Sequence, residues 1–140
     1  MIDHAQKPEY REFAEKVLEA PVDPATSVWI TKLHADGSIA AVVVFRNFAG
    51  GNCEVLLASD GKARWASKEF LAVCCRYAFN QMKLKRVTSI IELENKHSIR
   101  FCHKMGHTIE GILRSWFDGK DAVIMRMLPE ECKWLGVNHG

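Results

Sequence analysis

The sequence predicts an α/β fold, with helices set around one mixed sheet. Three observations predict it. Helical and strand-like segments follow the order α, β, β, β, α, β, α, β, β, α, so that strands dominate the first half and then alternate with helices. The run over 40–45 is apolar without a break, as in a strand buried on both faces. The stretch over 53–83 reads as a strand, a short basic loop and a helix in succession.

Residues 8–20 form the first helix. Pro8 suits a first turn, and Phe13, Val17 and Leu18 recur at helical spacing while Glu and Lys fall on the other face. Pro21 and Pro24 end it. A strand over 27–34 follows, with Val28, Ile30 and Leu33 inward. Asp36-Gly37 is a hairpin turn into a second strand over 39–48. Gly50-Gly51-Asn52 turns the chain again, into Val55-Leu56-Leu57-Ala58. The chain breaks at Ser59-Asp60-Gly61. Phe70, Val73, Cys74, Tyr77 and Ala78 then mark one face of a helix.

Residues 86–93 are rich in β-branched side chains and read as a strand. Asn95-Lys96-His97-Ser98 starts a short helix through Ile99, Phe101, Cys102 and Met105, and Gly106 stands at its C-cap. The stretches 107–117 and 122–128 form a hairpin around Asp118-Gly119. Pro129-Glu130-Glu131 opens a last short helix bearing Cys132, Trp134 and Leu135. No repeat, low-complexity segment or linker interrupts the chain, so one domain is expected over 1–140.

Composition narrows the function classes. Of 140 residues 48% are hydrophobic, which excludes a disordered chain, and a net charge of +2 is too small to argue for nucleic acid. Lys83, Lys85, Arg86 and Arg100 read as the solvated end of a helix rather than a nucleic-acid patch. No apolar run reaches the roughly 20 residues of a membrane span. No apolar h-region follows the N-terminus, so no signal peptide is expected. The five cysteines are odd in number and include no CxxC or Cys/His zinc spacing, which suits reduced thiols in a cytoplasmic compartment. His97, His103 and His107 lie close in sequence, but no carboxylate joins them at a metal-binding spacing.

The strand–loop–helix unit carries the first chemical signal. A helix N-terminus presents free amide hydrogens and partial positive charge, and Lys62, Arg64 and Lys68 surround this one. A pyrophosphate fits there. An ordinary connection with solvated lysines fits the same residues.

A more specific signal follows the strand over 86–93. Asn95, Ser98, Lys104, Gly106, Glu110, Gly111 and Arg114 keep a fixed register. This pattern resembles the region after the fifth strand of the GNAT superfamily, the GCN5-related N-acetyltransferases. The stretch over 54–83 stands where that superfamily keeps its fourth strand, pyrophosphate loop and third helix. Trp65, Phe79-Asn80-Gln81, Arg86-Val87-Thr88 and the closing Glu131-Cys132-Lys133-Trp134-Leu135 look like a small subgroup often carried by bacteriophages. The likeness covers about 27–135.

The resemblance implies a GNAT-like mixed sheet with splayed central strands. It also implies an acetyl-CoA-dependent N-acetyltransferase. Such an enzyme moves the acetyl group to a primary amine of a protein or small molecule by direct attack, without a metal. Coenzyme A contacts are then expected at Leu56, Leu57 and Ala58, where a strand amide near Leu57 or Ala58 would meet the thioester oxygen. Others are expected in the loop at Lys62, Ala63, Arg64, Trp65, Ala66, Ser67 and Lys68, and at Asn95, Ser98 and Phe101. Asn95 serves equally well as a helix cap. Glu54 is the expected base, with Glu92 and Glu94 as rivals and an exposed strand carboxylate as the alternative. Cys102 takes the place of the tyrosine general acid; the alternative is a small buried hydrophobe.

Two departures stand out. Trp65 occupies a position where the superfamily loop carries glycine, and Cys102 replaces the tyrosine. They support a second reading, a non-catalytic GNAT-like phage accessory or virion-associated module. The expected partners are an acyl-CoA and an amine acceptor in the cytoplasm (the host's, for a phage protein), with a homodimer allowed and neither membrane nor nucleic acid.

Overall fold

The strand over 40–45 is apolar because layers cover it on both sides. The structure is a computed structural model that describes residues 1–62 and 65–135. Its elements are β1 (Ile2–Asp3), α1 (Pro8–Leu18), β2 (Val28–Leu33), β3 (Ile39–Ala49), β4 (Asn52–Ser59), α2 (Lys68–Arg76), β5 (Arg86–Glu92), α3 (Lys96–Met105), β6 (Thr108–Phe117) and β7 (Lys120–Met127). A π-helical turn, Tyr77–Gln81, continues α2, and a 3-10 turn, Pro129–Glu131, follows β7. The strands form one sheet in the order β1-β2-β3-β4-β5-β7-β6. Every neighbouring pair is antiparallel except β4 and β5.

Alternate residues of β3 feed two cores. Val42 and Val44 pack with Tyr10, Ala14, Val22 and Trp29 beneath α1. Ala41, Val43 and Phe45 pack on the other face with Phe70, Cys74 and Ala78 of α2 and its π turn. Phe45 and Tyr77 meet edge to face, ring centroids 5.2 Å apart.

Several sequence expectations need correction. α1 turns Tyr10 and Ala14 inward and leaves Val17 45% exposed. The Tyr10 hydroxyl donates to Asp3 Oδ2 at 2.6 Å, and this tie to β1 helps set the helix rotation. In β2, Trp29, Ile30 and Thr31 are all buried, because this strand too is covered on both faces. The two-residue β1, unforeseen, pairs with β2 at Ile2↔Lys32 and Asp3↔Thr31. The last helix shrinks to the 3-10 turn.

Gly106 caps α3 as expected, with φ at +122°. A Cβ there would run into the carbonyl oxygen of Glu131. The glycine therefore lets the C-terminal segment lie against α3, where Lys133 N–H donates to Met105 O at 3.2 Å. Among the described residues, no helix is long and apolar enough to cross a membrane.

Candidate functional site

The one parallel pairing in the sheet is short. β4 and β5 match only at Asn52↔Arg86, Cys53↔Val87 and Glu54↔Thr88. Beyond that point β4 stays in register with β3 as far as Ser59↔Ala41, while β5 stays with β7 as far as Glu92↔Ala122. Each central strand follows its antiparallel partner, and that ladder is the more stable per residue. The sheet therefore divides into a V whose vertex is Glu54 and Thr88.

The direction of the free amides follows from register. Asp60 N–H donates to Ala40 O at 2.9 Å, so the even-numbered residues of β4 turn their backbone groups to β3. Val55, Leu57 and Ser59 then turn theirs into the opening. Of the expected contacts, Leu57 offers an amide to the V, whereas those of Leu56 and Ala58 belong to the β3 ladder. The Ala58 side chain packs in the core under α1, with Leu56 against it.

Past Ser59 the chain enters the loop before α2. Lys62, Ala66 and Lys68 are exposed there, and the expected contacts Ala63 and Arg64 lie outside the described residues. Ser67 is the N-cap: its Oγ accepts from Phe70 N–H at 3.1 Å, and its carbonyl accepts from Leu71 N–H. Capping leaves the amides of Lys68 and Glu69 at the helix opening without an intrahelical acceptor. Across the V, Asn95 Oδ1 accepts from Ser98 N–H at 3.2 Å and caps α3. Trp65 and Phe101 meet at 5.1 Å between ring centroids, joining the loop after β4 to the helix after β5.

The carboxylates separate clearly. Glu54 lies at the vertex, where its Oε1 accepts from Arg46 Nε at 2.6 Å and from Asn47 Nδ2 at 3.4 Å. Glu92 pairs with Lys120 at 3.4 Å. Glu94 is exposed and lines a separate cavity of about 360 Å³ with Arg114 and Lys120. Arg86, part of the basic run, is committed to Glu110 and to Thr88 Oγ1.

Cys102 belongs to a buried polar cluster that sequence reasoning missed. His107 Nδ1 lies 3.1 Å from the Cys102 carbonyl, and His107 Nε2 lies 3.3 Å from Ser89 Oγ. A carbonyl only accepts, so Nδ1 carries the proton and Nε2 accepts from the Ser89 hydroxyl. Burial drives His107 down to about 4, against the opposing pull of the Cys102 bond and of Glu131. Burial pushes the Cys102 thiol up to about 11, with the Ser89 hydrogen bond opposing it. The sequence signals were a serine inside a β-branched strand and a histidine straight after a C-cap glycine.

No protein-family model matches the sequence, and no curated protein matches it. Solved structures do. A chimera of the Vibrio cholerae spermidine N-acetyltransferase SpeG and hSSAT aligns with TM-score 0.74 at 12% identity, over 93% of this chain and 95% of that one. The dodecameric spermidine N-acetyltransferase of Vibrio cholerae, in an intermediate state, aligns with TM-score 0.68 at 16% identity, over 81% and 70%. A second SpeG–hSSAT chimera gives 0.67 at 15%, over 76% and 69%. This chain shares the fold of these acetyltransferases. At such identities the likeness concerns architecture alone.

Proposed function

We propose that this chain is an acetyl-CoA-dependent N-acetyltransferase that moves an acetyl group to a primary amine of a protein or small molecule. The observation that carries the reading is the V between β4 and β5, with the capped start of α2 beside it. The coenzyme supplies a thioester, and a neutral amine attacks its carbonyl carbon as the coenzyme leaves as a thiol. The chain does the rest. Leu57 N–H, aimed into the V, donates to the thioester oxygen as it gains charge. The amides of Lys68 and Glu69, with Lys62 and Lys68, hold the diphosphate. Asn95, Ser98 and Phe101 line the other wall.

Glu54 takes the ammonium proton through a water. Its tie to Arg46 holds the carboxylate at the vertex, whereas Glu92 is turned to Lys120 and Glu94 is exposed. Cys102 is protonated at neutral pH and stands where the resemblance puts the acid, but its raised pKa makes it a weak donor. The likeness to a bacteriophage-borne subgroup, with the host cytoplasm as the setting, rests on the sequence pattern. A homo-oligomer is part of the proposal. Ile109, Ile112 and Trp116, each about half exposed, leave an apolar strip on the edge strand β6, and a structural neighbour is dodecameric.

The second reading, a non-catalytic module, draws on the Trp65–Phe101 contact across the V. Calorimetric titration with acetyl-CoA separates the two. Binding at micromolar levels, with release of free coenzyme thiol when amines are added, supports the transferase. Absence of binding at hundreds of micromolar supports the module.

A further inference from the structure

One carboxylate joins the turn after β2 to the loop after β4. His34 Nε2 lies 2.7 Å from Asp60 Oδ2, and both side chains are partly buried. A carboxylate only accepts, so Nε2 carries the proton and donates it. The second oxygen, Asp60 Oδ1, accepts from the backbone N–H of Lys62 at 2.9 Å. Lys62 lies outside helix and strand, and this bond orients its amide.

Both ends of the tie are anchored. His34 stands in a tight turn: its N–H donates to Ser38 O at 2.8 Å, and its carbonyl accepts from Gly37 N–H at 3.0 Å. Asp36 Oδ1 closes that turn by accepting from the N–H and the hydroxyl of Ser38. Asp60 N–H donates to Ala40 O at 2.9 Å and so continues the β3–β4 ladder. Gly61 then bends the chain with φ at +80°, and Lys62 follows. The tie also governs charge. Asp60 is an anion two residues before Lys62, and the His34 bond occupies one of its oxygens. Loss of that donor releases the carboxylate to rotate toward an incoming phosphate, which it repels.

We propose that His34 is a positioning residue for coenzyme binding: through Asp60 it fixes the start of the loop that holds the diphosphate. It acts through another residue, on coenzyme affinity rather than on the chemical step. The inference rests on the acetyltransferase reading and adds to it a residue from the far side of β3, on a turn that the sheet brings beside the loop.

The test measures acetyl-CoA affinity by calorimetry, and exchange of the Lys62 amide by NMR, in the full chain. His34→Ala should weaken binding by about tenfold, the share of one hydrogen bond to a charged group, and speed exchange at Lys62. His34→Leu, which keeps bulk without the N–H, should do the same where alanine disturbs the turn. His34→Gln keeps an N–H at the end of a side chain of similar reach, and should recover most of both. A merely structural role would lower the thermal midpoint without singling out Lys62, and glutamine would not restore affinity. Binding within about twofold of the unmutated chain in His34→Ala and His34→Leu would overturn the proposal. So would weaker binding with exchange at Lys62 unchanged, or no recovery with glutamine. An unmutated chain that leaves acetyl-CoA unbound at hundreds of micromolar overturns the transferase reading and this proposal together.

Discussion

Trp65 and Phe101 face each other across the V between β4 and β5, one from the loop before α2 and the other from α3. An aromatic pair of this kind adds about 0.5–1.5 kcal/mol beyond the area it buries. Where glycine would leave the entrance open, the indole joins its two sides. A ligand entering between them must first separate the rings, and its apparent affinity drops by that amount. Trp65→Ala is therefore expected to tighten acetyl-CoA binding by about fivefold in calorimetry. Weaker binding in the variant would show instead that the indole contacts the ligand.

Glu54 sits where the parallel pairing ends, and that position makes it the base of the proposed reaction. Replacement by glutamine keeps an acceptor for Arg46 and Asn47, so the local structure survives while basicity is lost. Turnover at pH 7 should fall by about a hundredfold, within the usual contribution of a positioned base. The thermal midpoint should move little. Turnover equal to that of the unmutated chain across pH 7 to 9 removes Glu54 from the mechanism.

Much of the fold could be read from local signals. Asp36-Gly37 turns the chain, Ser67 and Asn95 cap helices, and Gly106 closes α3, each through bonds to residues nearby in sequence. The V could not be read that way. It depends on β5 following β7, a strand that arrives some thirty residues later. Which amides of β4 face the opening depends on its ladder with β3. The inward turn of Trp29 needed α1 on the second face of the sheet. The π turn came from Met82 N–H reaching back to Tyr77 O at 2.9 Å, which apolar spacing does not reveal. The acid role of Cys102 rested on a thiol matching that of coenzyme A; the burial that raises this thiol, with Ser89 opposing, comes from tertiary packing that local sequence does not reveal.

That mismatch has a kinetic consequence. A thiol raised to about 11 must give its proton to a coenzyme thiolate whose conjugate acid lies near 8.5, which is uphill by about 3 kcal/mol. At pH 7 solvent protonates a free thiolate of this basicity in any case. Cys102→Ala should therefore lose less than about tenfold in turnover, measured by release of free coenzyme thiol. A loss of two orders of magnitude, with the fold intact by circular dichroism, would put the thiol back into the reaction.

His107 should govern how stability responds to mild acid. It is 6% exposed, and its folded pKa of about 4 lies below the 6.5 of an unperturbed histidine. Ser89 and the Cys102 carbonyl face its ring, and Glu131 is the charge acting on it. Between those two pH values the unfolded chain binds a proton that the native histidine does not. The unfolded state therefore gains as pH falls, and stability declines from about pH 6.5 toward 4. The slope reaches at most about 1.4 kcal/mol per pH unit for one such group. Asp3, Asp60 and Glu110 have lowered pKa values through their hydrogen bonds to Tyr10, His34 and Arg86, so their losses add at or below the ordinary carboxylate range. Urea midpoints measured at pH 5 and pH 7 separate the windows. The unmutated chain should lose stability between them, and His107→Gln, which keeps an N–H for the Cys102 carbonyl but cannot titrate, should lose much less. Equal losses in the two proteins would mean that His107 is already protonated in the native state or that another group sets the slope.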